Sequence, residues 1–387
     1  MIRDRYDIVI LGGGPAGLAT AIAARRLTGA SVLVAEAGPA DRERVGESAA
    51  PALLVPLGQL GLADRFRADG HAPCPGTASL WGRDRVGHND ALYDPMGPPW
   101  RLDRRRFDAM LAAAALEAGV DVLFGAPFLR AARGPGGAGH RLRLGGTAGG
   151  QTVAAPLVVD ATGPQARFAR GAGARLLRDD SFLALVRFAR ISAGTMTWQT
   201  LLEAVADGWW YAARLPGDRA VVMLAADRAG VRRVSDPAGW AAGLSGTRLI
   251  GPRLAGLTLE PDGPPLLLPV HSGRLDTPGG RDWLAVGDAA ASYDPIAAQG
   301  LYKALTDGVE AGRLLAAMLS GQEAAGAGLV ARAGAVAARH AEYAANRAHL
   351  YGLETRWPRS PFWRRRHAAA RRDPADSPTQ TAQEMSA

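Results

Sequence analysis

Cysteine, lysine and long apolar runs are scarce in this chain of 387 residues. Its single cysteine, Cys74, excludes an intramolecular disulfide and a zinc site built from cysteines. Of the 45 basic residues only Lys303 is a lysine, and the arginines do not form the basic stripe with interleaved aromatic residues that nucleic-acid binding requires. The composition, 48% hydrophobic and 21% charged, is that of an ordinary globular protein. We therefore predict no nucleic-acid partner and no metal site.

No stretch has the length of a membrane span or the character of an export signal. The longest uncharged stretch, residues 8–24, contains four glycines and a proline and is too short to cross a bilayer. We therefore expect a cytoplasmic protein without a membrane span.

The first forty residues have the pattern of a dinucleotide-binding unit. The apolar run at residues 6–11 predicts a buried parallel strand, followed by a glycine turn at 12–17, a helix at 18–27 and a second strand at 31–35. Gly12 permits the tight turn, Gly14 lets the backbone approach a pyrophosphate, and Gly17 allows close packing of helix on strand. Glu36 ends the second strand and is placed to accept hydrogen bonds from an adenosine ribose.

A second glycine match, at residues 134–139, lacks this context. It follows no buried strand and precedes no helix, so we predict a hairpin loop between strands at 128–133 and 140–144. Context, rather than the glycines alone, identifies the amino-terminal match.

Later segments indicate a flavin rather than a nicotinamide. Residues 45–48 follow the second strand, where a loop can return to the flavin, and residues 157–163 are a buried strand that ends in a small-residue turn. Residues 283–290 are another such strand, with Asp288 placed to bind ribityl or pyrophosphate groups. Residues 294–301 open a helix whose amino terminus favours negative charge on a reduced flavin.

On these motifs the chain resembles the FAD-dependent monooxygenases in the branch that contains the flavin-dependent tryptophan halogenases. Within that branch it is most similar to the LodB/GoxB/QhpG-type flavoprotein maturases, which modify tryptophan. The motifs that carry this resemblance are Gly46-Glu47-Ser48, Arg104-x-x-Phe107-Asp108, Asp160-Ala161-Thr162-Gly163, Gly208-Trp209-Trp210-Tyr211, Gly287-Asp288 with Asp294-Pro295, and Glu354-x-Arg356-Trp357-Pro358.

The resemblance implies an α/β architecture with a glutathione-reductase-type FAD-binding fold, in which a parallel sheet is combined with ββα layers. An antiparallel-sheet substrate domain and carboxy-terminal helices complete it. We expect a discontinuous FAD-binding domain at 1–75, 100–180 and 265–325, and a substrate domain at 76–99 and 181–264. A helical segment at 326–370 and a disordered tail at 371–387 follow.

The resemblance also implies which residues bind FAD. They are Gly12, Gly14, Pro15, Ala16, Gly17, Glu36, Ala37, Glu47, Ser48, Arg104, Asp160, Gly163, Gly287, Asp288, Pro295, Gln299, Gly300 and Leu301. Because Arg104 lies in a run of three arginines, a solvated side chain is the alternative for that residue.

The activity implied is hydroxylation of an aromatic ring through a flavin C4a-hydroperoxide, with O2 as co-substrate. Indole is the leading substrate, as tryptophan that is free or held in a peptide or protein. Trp209, Trp210 and Tyr211 suit stacking against such a ring, with ordinary sheet packing as the alternative. Electrons come from NAD(P)H or from a separate flavin reductase. No catalytic base is assigned, and His71, Cys74 and His271 are more simply structural.

Three other functions are left open. A tryptophan halogenase uses a lysine in the first quarter of the chain, whereas Lys303 lies on the helix after Gly300. A geranylgeranyl-reductase-like ene reductase would saturate lipid double bonds without oxygen incorporation, and a flavin-binding docking protein would not turn over. Trp357, Phe362 and Trp363 either form a docking surface for a protein substrate or pin the last helix to the core.

Overall fold

The computed structural model describes residues 2–146, 149–321 and 324–370. In chain order its strands are β1 (Ile8–Leu11), β2 (Val32–Ala35), β3 (Ser48–Ala49), β4 (Ala72–Pro73), β5 (Gly76–Leu80), β6 (Gly87–Asp90), β7 (Trp100–Arg101), β8 (Asp121–Leu123), β9 (Phe128–Arg133), β10 (His140–Leu144), β11 (Gln151–Ala155), β12 (Leu157–Asp160), β13 (Leu176–Arg178), β14 (Leu183–Ala193), β15 (Thr200–Val205), β16 (Gly208–Leu215), β17 (Arg219–Ala226), β18 (Thr258–Pro261), β19 (Leu266–Pro269), β20 (Gly273–Leu275), β21 (Gly279–Gly280), β22 (Trp283–Ala285) and β23 (Ala291–Ser292). The helices are α1 (Pro15–Thr28), α2 (Leu54–Gln59), α3 (Ala63–Ala68), α4 (Arg104–Glu117), α5 (Arg167–Gly171), α6 (Arg228–Arg233), α7 (Pro237–Ser245), α8 (Ile250–Leu254), α9 (Gly300–Leu319), α10 (Ala324–Gly352) and α11 (Pro361–Ala370).

A six-stranded sheet with the order β21-β22-β12-β1-β2-β8 forms the centre of one half of the molecule. Its neighbours from β22 to β8 are paired in parallel, and β1 and β2 are buried along their whole length because both faces of the sheet are covered. Helices α1, α4 and α9 pack on one face, and the antiparallel strands β9, β10 and β11 pack on the other. These layers are the ββα arrangement that the sequence predicts.

Helix α9 packs directly against α1 because it is glycine-rich where the two helices meet. A Cβ atom on Gly308 would lie 2.7 Å from the carbonyl oxygen of Ala16, and one on Gly312 would lie 2.4 Å from the Cβ of Ala23. The two helices therefore approach closely, and α9 is fixed relative to the glycine turn that precedes α1.

An eight-stranded sheet forms the other half, with the order β18-β14-β17-β16-β15-β5-β6 and β19 also paired to β14. All its pairs are antiparallel except β15 with β5. Helices α6, α7 and α8 cover one face, and the opposite face, which we call the inner face, packs against α11 and two loops of the first half.

The predicted fold class is confirmed by this mixture of a parallel sheet and antiparallel sheets. The strands at 128–133 and 140–144 pair as the hairpin predicted around the second glycine match. Residues 76–99, which the sequence assigns to the substrate domain without predicted strands, contain β5 and β6, whose alternation is too short to be recognised. The tail at 371–387 lies outside the described residues. Among the helices of the described ranges, none has the length and hydropathy of a bilayer span.

Candidate functional site

The glycine turn between β1 and α1 is shaped by close backbone contacts at two of its glycines. Gly12 has a φ of 115°, and a Cβ there would lie 2.1 Å from the carbonyl oxygen of Ala161. A Cβ on Gly17 would lie 2.0 Å from the carbonyl oxygen of Gly12. Both positions therefore require glycine for the fold itself.

Gly14 differs, since a Cβ there would meet only the Arg44 guanidinium, at 3.3 Å. It precedes α1, whose amino terminus has Pro15 and Ala16 in its first turn and no side-chain cap. Free N–H groups at a helix start, with an open glycine before them, suit a phosphate. The space at Gly14 is thus available to a ligand.

Glu36 lies beside this turn with its carboxylate buried. It accepts hydrogen bonds from the N–H groups of Gly13 and Gly38, at 2.7 and 2.9 Å, and pairs with Arg44 at 3.2 Å. Ala37 follows it in the chain. The carboxylate is held at the end of β2, where the sequence predicts ribose recognition.

Asp160 ends β12 and is fully buried. It accepts hydrogen bonds from the N–H and hydroxyl of Thr162, at 2.9 and 2.7 Å, and from the N–H of Ala169 at 2.8 Å. Burial raises its pKa. These bonds order the turn that carries Gly163. A Cβ on Gly163, with a φ of 71°, would meet nothing within 4 Å.

Arg104, at the start of α4, is buried rather than solvated. It donates to the carbonyl oxygens of Val45 and Gly46 and pairs with Asp108 at 3.1 Å. A Cβ on Gly46 would lie 2.8 Å from this guanidinium. Arg104 therefore fixes the 45–48 loop, on which Glu47 and Ser48 lie.

The amino terminus of α9 is a second open helix start. Its cap residue, Gln299, makes no side-chain capping bond, and a Cβ on Gly300 would meet nothing within 4 Å. Leu301 is buried in the core between α9 and the parallel sheet. Because α9 packs on α1, both helix starts belong to one continuous region.

Before that helix, the chain passes through Gly287, Asp288 and Pro295. The Gly287 N–H donates to Asp307 at 2.7 Å, whereas the half-exposed Asp288 pairs with the Lys303 ammonium at 2.7 Å. Pro295 begins a short 3-10 turn, Pro295–Ala297. The only lysine of the chain is thus bound to the residue predicted to contact the middle of the cofactor.

These features fit an adenine dinucleotide with a flavin head. The open positions at Gly14, Gly163 and Gly300 mark a path from the start of α1 to the start of α9, with Glu36 near its first end. Each open glycine stands in a turn or at a helix start, where backbone N–H groups are free to bind phosphate or carbonyl oxygens.

The inner face of the eight-stranded sheet adjoins this path. Tyr211 and Leu202 pack on it together with Val45 of the 45–48 loop and Ile296 of the turn before α9. Both loops that the sequence assigns to the flavin therefore pack against the inner face.

The two tryptophans of the predicted stacking group are committed to packing. Trp209 lies on the inner face and donates its indole N–H to the Tyr351 hydroxyl at 3.0 Å. Trp210 lies on the opposite face, where its ring centroid is 4.8 Å from that of Trp240. Of the three residues, Tyr211 alone is half-buried and directed at the loops.

A buried polar cluster around Arg101 was not anticipated from the sequence. Its guanidinium donates to the Tyr211 hydroxyl at 2.8 Å, to the Thr200 hydroxyl at 2.7 Å and to the Ser48 hydroxyl. Tyr211 in turn donates to the Glu47 carboxylate, and burial raises the Tyr211 pKa, so its hydroxyl keeps its proton. We call Arg101, Tyr211 and Glu47 the relay. Arg101 follows Trp100 in a two-residue strand, which gives no local signal of this role.

A second buried network holds the turn before α9. Asp294 accepts hydrogen bonds from the Tyr351 hydroxyl at 2.8 Å and from the N–H of Ile296 at 3.0 Å, and it pairs with Arg347 at 3.2 Å. Helix α10 supplies both Tyr351 and Arg347. The carboxy-terminal helices therefore order a loop of the site.

The lone histidines and the cysteine have mostly structural surroundings. His71 packs on Phe66, and burial lowers its pKa, so its ring stays neutral. His271 is buried near Asp288, and burial likewise lowers its pKa. Cys74 accepts a hydrogen bond from Arg101 at 3.4 Å and so lies beside the relay.

The aromatic residues near the carboxy terminus pin the last helix. Phe362 and Trp363 are buried against the inner face, and Trp357 stacks on Trp363 with ring centroids 6.1 Å apart. Of the two functions considered for them, the structure supports attachment of α11 to the core.

Comparison with known proteins identifies a family model and relatives that this chain matches. Residues 7–178 match the family model described as FAD dependent oxidoreductase. The chain is 29% identical over 374 residues to LodB of Marinomonas mediterranea, which is described as an FAD-dependent oxidoreductase, and the alignment covers 94% of this chain and 98% of LodB.

Two solved structures are similar over nearly the whole chain. The peptidyl tryptophan dihydroxylase QhpG, described as essential for tryptophylquinone cofactor biogenesis, is 27% identical with a TM-score of 0.71, and the match covers 94% of this chain and 78% of QhpG. The myxobacterial chondrochloren halogenase CndH has a TM-score of 0.82 at 22% identity, covering 99% of this chain and 89% of that chain. The likeness to CndH shows a shared fold, and the resemblance inferred from the motifs is confirmed.

Proposed function

We propose that this chain, a flavin-dependent oxidoreductase whose cofactor is FAD, is a monooxygenase that hydroxylates the indole ring of tryptophan, free or held in a peptide or protein. The observation that carries the proposal is the junction at the inner face, where Tyr211, Val45 and Ile296 of the two flavin loops each pack against the same buried cluster. The likeness to QhpG, whose description names a peptidyl tryptophan, favours indole as the ring.

Reduced FAD, when bound, supplies the electrons that activate O2, and the protein has to place the ring and keep water away. The inner face provides apolar surface for this purpose through the partly buried Leu202 and Ile296. Tyr211 and Ser48 add hydroxyl groups at its edge, within 2.9 Å of each other. This combination binds a flat ring on one side and orients it by few polar contacts.

Halogenation is disfavoured by the surroundings of Lys303. Its ammonium is paired with Asp288 at 2.7 Å, donates to the Ala291 carbonyl and lies 4.3 Å from the centre of the Tyr293 ring. These partners all come from the FAD-binding half, and none lies on the inner face. A lysine held in this way is not available to carry a halogen to a ring on the sheet.

The test is the mass of the product formed under ¹⁸O₂. FAD-loaded protein is supplied with a tryptophan-containing peptide and, in parallel, with free tryptophan, and it is reduced either by NAD(P)H or by a separate flavin reductase with NADH. We expect the indole product to gain oxygen from ¹⁸O₂ with no requirement for halide. Comparing product formation with the two reductants shows which of them is the electron donor.

Two results would contradict the proposal. Incorporation of bromine or chlorine into the indole when halide is present would identify a halogenase. Consumption of reductant with saturation of a lipid double bond, and no ¹⁸O in any product, would identify an ene reductase.

A further inference from the structure

We propose that Glu47 is the hydrogen-bond acceptor for the N–H group of the indole, held in position by Tyr211 and Arg101 of the relay. This inference rests on the proposed function, because it names what recognises the substrate of that reaction. It assigns a specificity-determining role to a residue that the sequence motifs connect only with the cofactor.

Glu47 accepts fewer hydrogen bonds than the other buried carboxylates of the described residues. It is buried, with a relative exposure of 6%, yet within the described ranges its carboxylate accepts only two hydrogen bonds, one from the Tyr211 hydroxyl and one from the N–H of Gly46 at 3.0 Å. An ionised carboxylate has about four acceptor sites. The other buried carboxylates each accept at least three hydrogen bonds or ion pairs, namely those of Glu36, Asp160, Glu203, Asp294, Asp307 and Glu354.

Arg101, the buried cation near Glu47, differs from the other buried arginines in how it meets a carboxylate. Four buried arginines pair directly with a carboxylate: Arg104 with Asp108, Arg332 with Asp307, Arg347 with Asp180 and Asp294, and Arg366 with Asp180. Arg101, which has no exposed surface, forms no such pair in the described part of the chain. Its charge reaches Glu47 through the Tyr211 hydroxyl, which accepts from Arg101 and donates to Glu47.

This indirect connection leaves the carboxylate available. A bidentate arginine would occupy both oxygens of a carboxylate and fill its acceptor sites. The relay instead fixes one oxygen through Tyr211 and leaves the other oxygen without a bidentate partner. The result is a carboxylate held in place with acceptor sites to spare.

Glu47 also lies close to the inner face of the eight-stranded sheet. Glu47 lies between Val45, which packs on the inner face, and Ser48, whose hydroxyl is 2.9 Å from that of Tyr211. Ser48 and Tyr211 are half-buried, so solvent reaches the cluster from one side. A ring on the inner face therefore has its polar edge close to Glu47. A site built to accept a hydrogen bond rejects an analogue that lacks the donor, because its polar group is left unpaired.

An N–H donor could come from the indole or from the bound cofactor, and both present the same chemistry to a carboxylate. We assign the indole because two hydrogen-bond partners of Arg101, Tyr211 and Thr200, are on the sheet that carries the inner face. The experiment distinguishes the two sources.

The experiment compares two peptides that differ in one atom group. One contains tryptophan, and the other contains 3-benzothienylalanine, in which sulfur replaces the indole N–H at nearly the same ring shape. Dissociation constants are measured by calorimetry with FAD-loaded, oxidised protein and no reductant, so that no turnover occurs. We expect the wild type to prefer the tryptophan peptide by about 10-fold to 100-fold, as for one hydrogen bond to a charged group.

Variants assign the preference to the relay. In Glu47→Gln we expect the ratio of the two dissociation constants to fall to about one-tenth of the wild-type ratio, since the charged acceptor is lost. Tyr211→Phe keeps the carboxylate but frees its orientation, so an intermediate ratio is expected. The matched control is Glu117→Gln, an exposed residue of α4 that pairs with Arg65, in which the ratio should stay at the wild-type value. Thermal unfolding and FAD content are measured for every variant.

Each outcome decides the inference. Equal affinity of the wild type for both peptides overturns it, and this result needs no variant to fold. An unchanged ratio in Glu47→Gln, together with weaker FAD binding or a shifted flavin potential, overturns it in favour of a cofactor N–H as the donor. A preference that depends on Glu47, with no ¹⁸O in any product, supports indole recognition while the monooxygenase function fails, so the two failures are distinguishable.

Discussion

Gly12 and Gly14 are two residues apart, yet they serve different purposes. A side chain at Gly12 would collide with the backbone of Ala161 at 2.1 Å, whereas one at Gly14 would meet only the flexible end of Arg44. The first glycine is thus required for the fold, and the second keeps space open for a ligand.

We therefore predict opposite outcomes for Gly14→Val and Gly12→Val. Gly14→Val should fold with the thermal stability of the wild-type apoprotein and lose FAD, because the valine occupies the phosphate approach. Gly12→Val should lose stability by at least about 1–3 kcal/mol, the usual cost of overpacking, with added strain at its positive φ. Apoprotein melting temperatures and FAD-to-protein absorbance ratios measure both effects.

Gly171→Ala is the control, since a Cβ at that helical position meets nothing within 4 Å. Full FAD content in Gly14→Val would contradict the assignment of the open path to the cofactor.

The 208–211 motif shows what sequence can resolve at single residues. Consecutive strand residues point to opposite faces, so Trp209 and Trp210 cannot both line one pocket once β16 is recognised as a strand. The alternation alone predicts that Tyr211 shares a face with Trp209. It does not say which face meets the flavin, because that depends on Val45 and Ile296, which are distant in sequence.

At the level of elements, α9 and α10 are joined by ion pairs, of which the Asp307–Arg332 pair is buried on both sides. Asp307 of α9 binds Arg332 of α10 at 2.9 Å and also accepts the N–H of Gly287 at 2.7 Å. Burial alone would raise the pKa of Asp307, but Arg332 and the Gly287 N–H outweigh it, and the pKa is lowered. The pair therefore stabilises the ionised acid in the folded state.

This sets the direction of a pH effect. Because the folded pKa lies below the unfolded value of 3.8, the unfolded chain binds the proton more readily. The stabilisation is present above pH 3.8 and is lost as the pH falls through the folded value. We expect Asp307→Asn to be less stable than the wild type at pH 7 and to show a smaller loss below pH 4. Urea unfolding at pH 7, 4 and 3 measures this, and equal pH slopes would refute it.

Helix α11 contributes its stability through one of its faces. Trp363 has no exposed surface and donates its indole N–H to the Val205 carbonyl at 2.8 Å, whereas its neighbour Arg364 is exposed. We predict that Trp363→Ala lowers the free energy of unfolding by about 3–5 kcal/mol, as for a large core side chain. Arg364→Ala on the same helix should change it by less than about 0.5 kcal/mol. Denaturant unfolding compares the two, and similar losses would contradict attachment through the buried face.

The elements that sequence predicts well are those with local signals. The unit at 6–36 combines an apolar run, a glycine turn and a helix, and the structure places β1, α1 and β2 close to the predicted bounds. By contrast, β3, β4 and β7 are each two residues long and exist only because β7 pairs with the other two. No periodicity can reveal a strand of that length.

At the level of the whole molecule, two consecutive hydrogen bonds connect its two halves. Trp209 of the eight-stranded sheet donates to Tyr351 of α10 at 3.0 Å, and Tyr351 donates at 2.8 Å to Asp294, in the turn before α9. Burial raises the Tyr351 pKa well above its usual value, so the phenol stays protonated and can donate.

We predict that Tyr351→Phe destabilises the protein by about 1–3 kcal/mol, because a buried indole N–H and a buried carboxylate each lose a partner. Since Asp294 adjoins the turn before α9, the variant should also bind FAD more weakly. Unfolding free energy and FAD affinity are measured together. Loss of stability at unchanged FAD affinity would show that these two hydrogen bonds stabilise the core without ordering the turn.

The same long-range character explains why the relay escapes sequence analysis. Glu47, Arg101 and Tyr211 are separated by 54 and 110 residues and come from a loop and two strands. Glu47 could be associated with the cofactor from its motif, but its free acceptor sites depend on which donors the fold brings near. That information exists only in the assembled structure.

The protein has a single lysine, and 9% of its side chain is exposed while Asp288 binds its ammonium. Reagents that react with amines therefore have almost no lysine target on this protein. Reagents that acylate or reductively methylate amines will modify little beyond the terminal amino group. If this protein is mixed with a lysine-bearing polypeptide, such a reagent marks the polypeptide selectively. Lysines of the polypeptide that become protected on mixing would then map its contact surface without background from the enzyme.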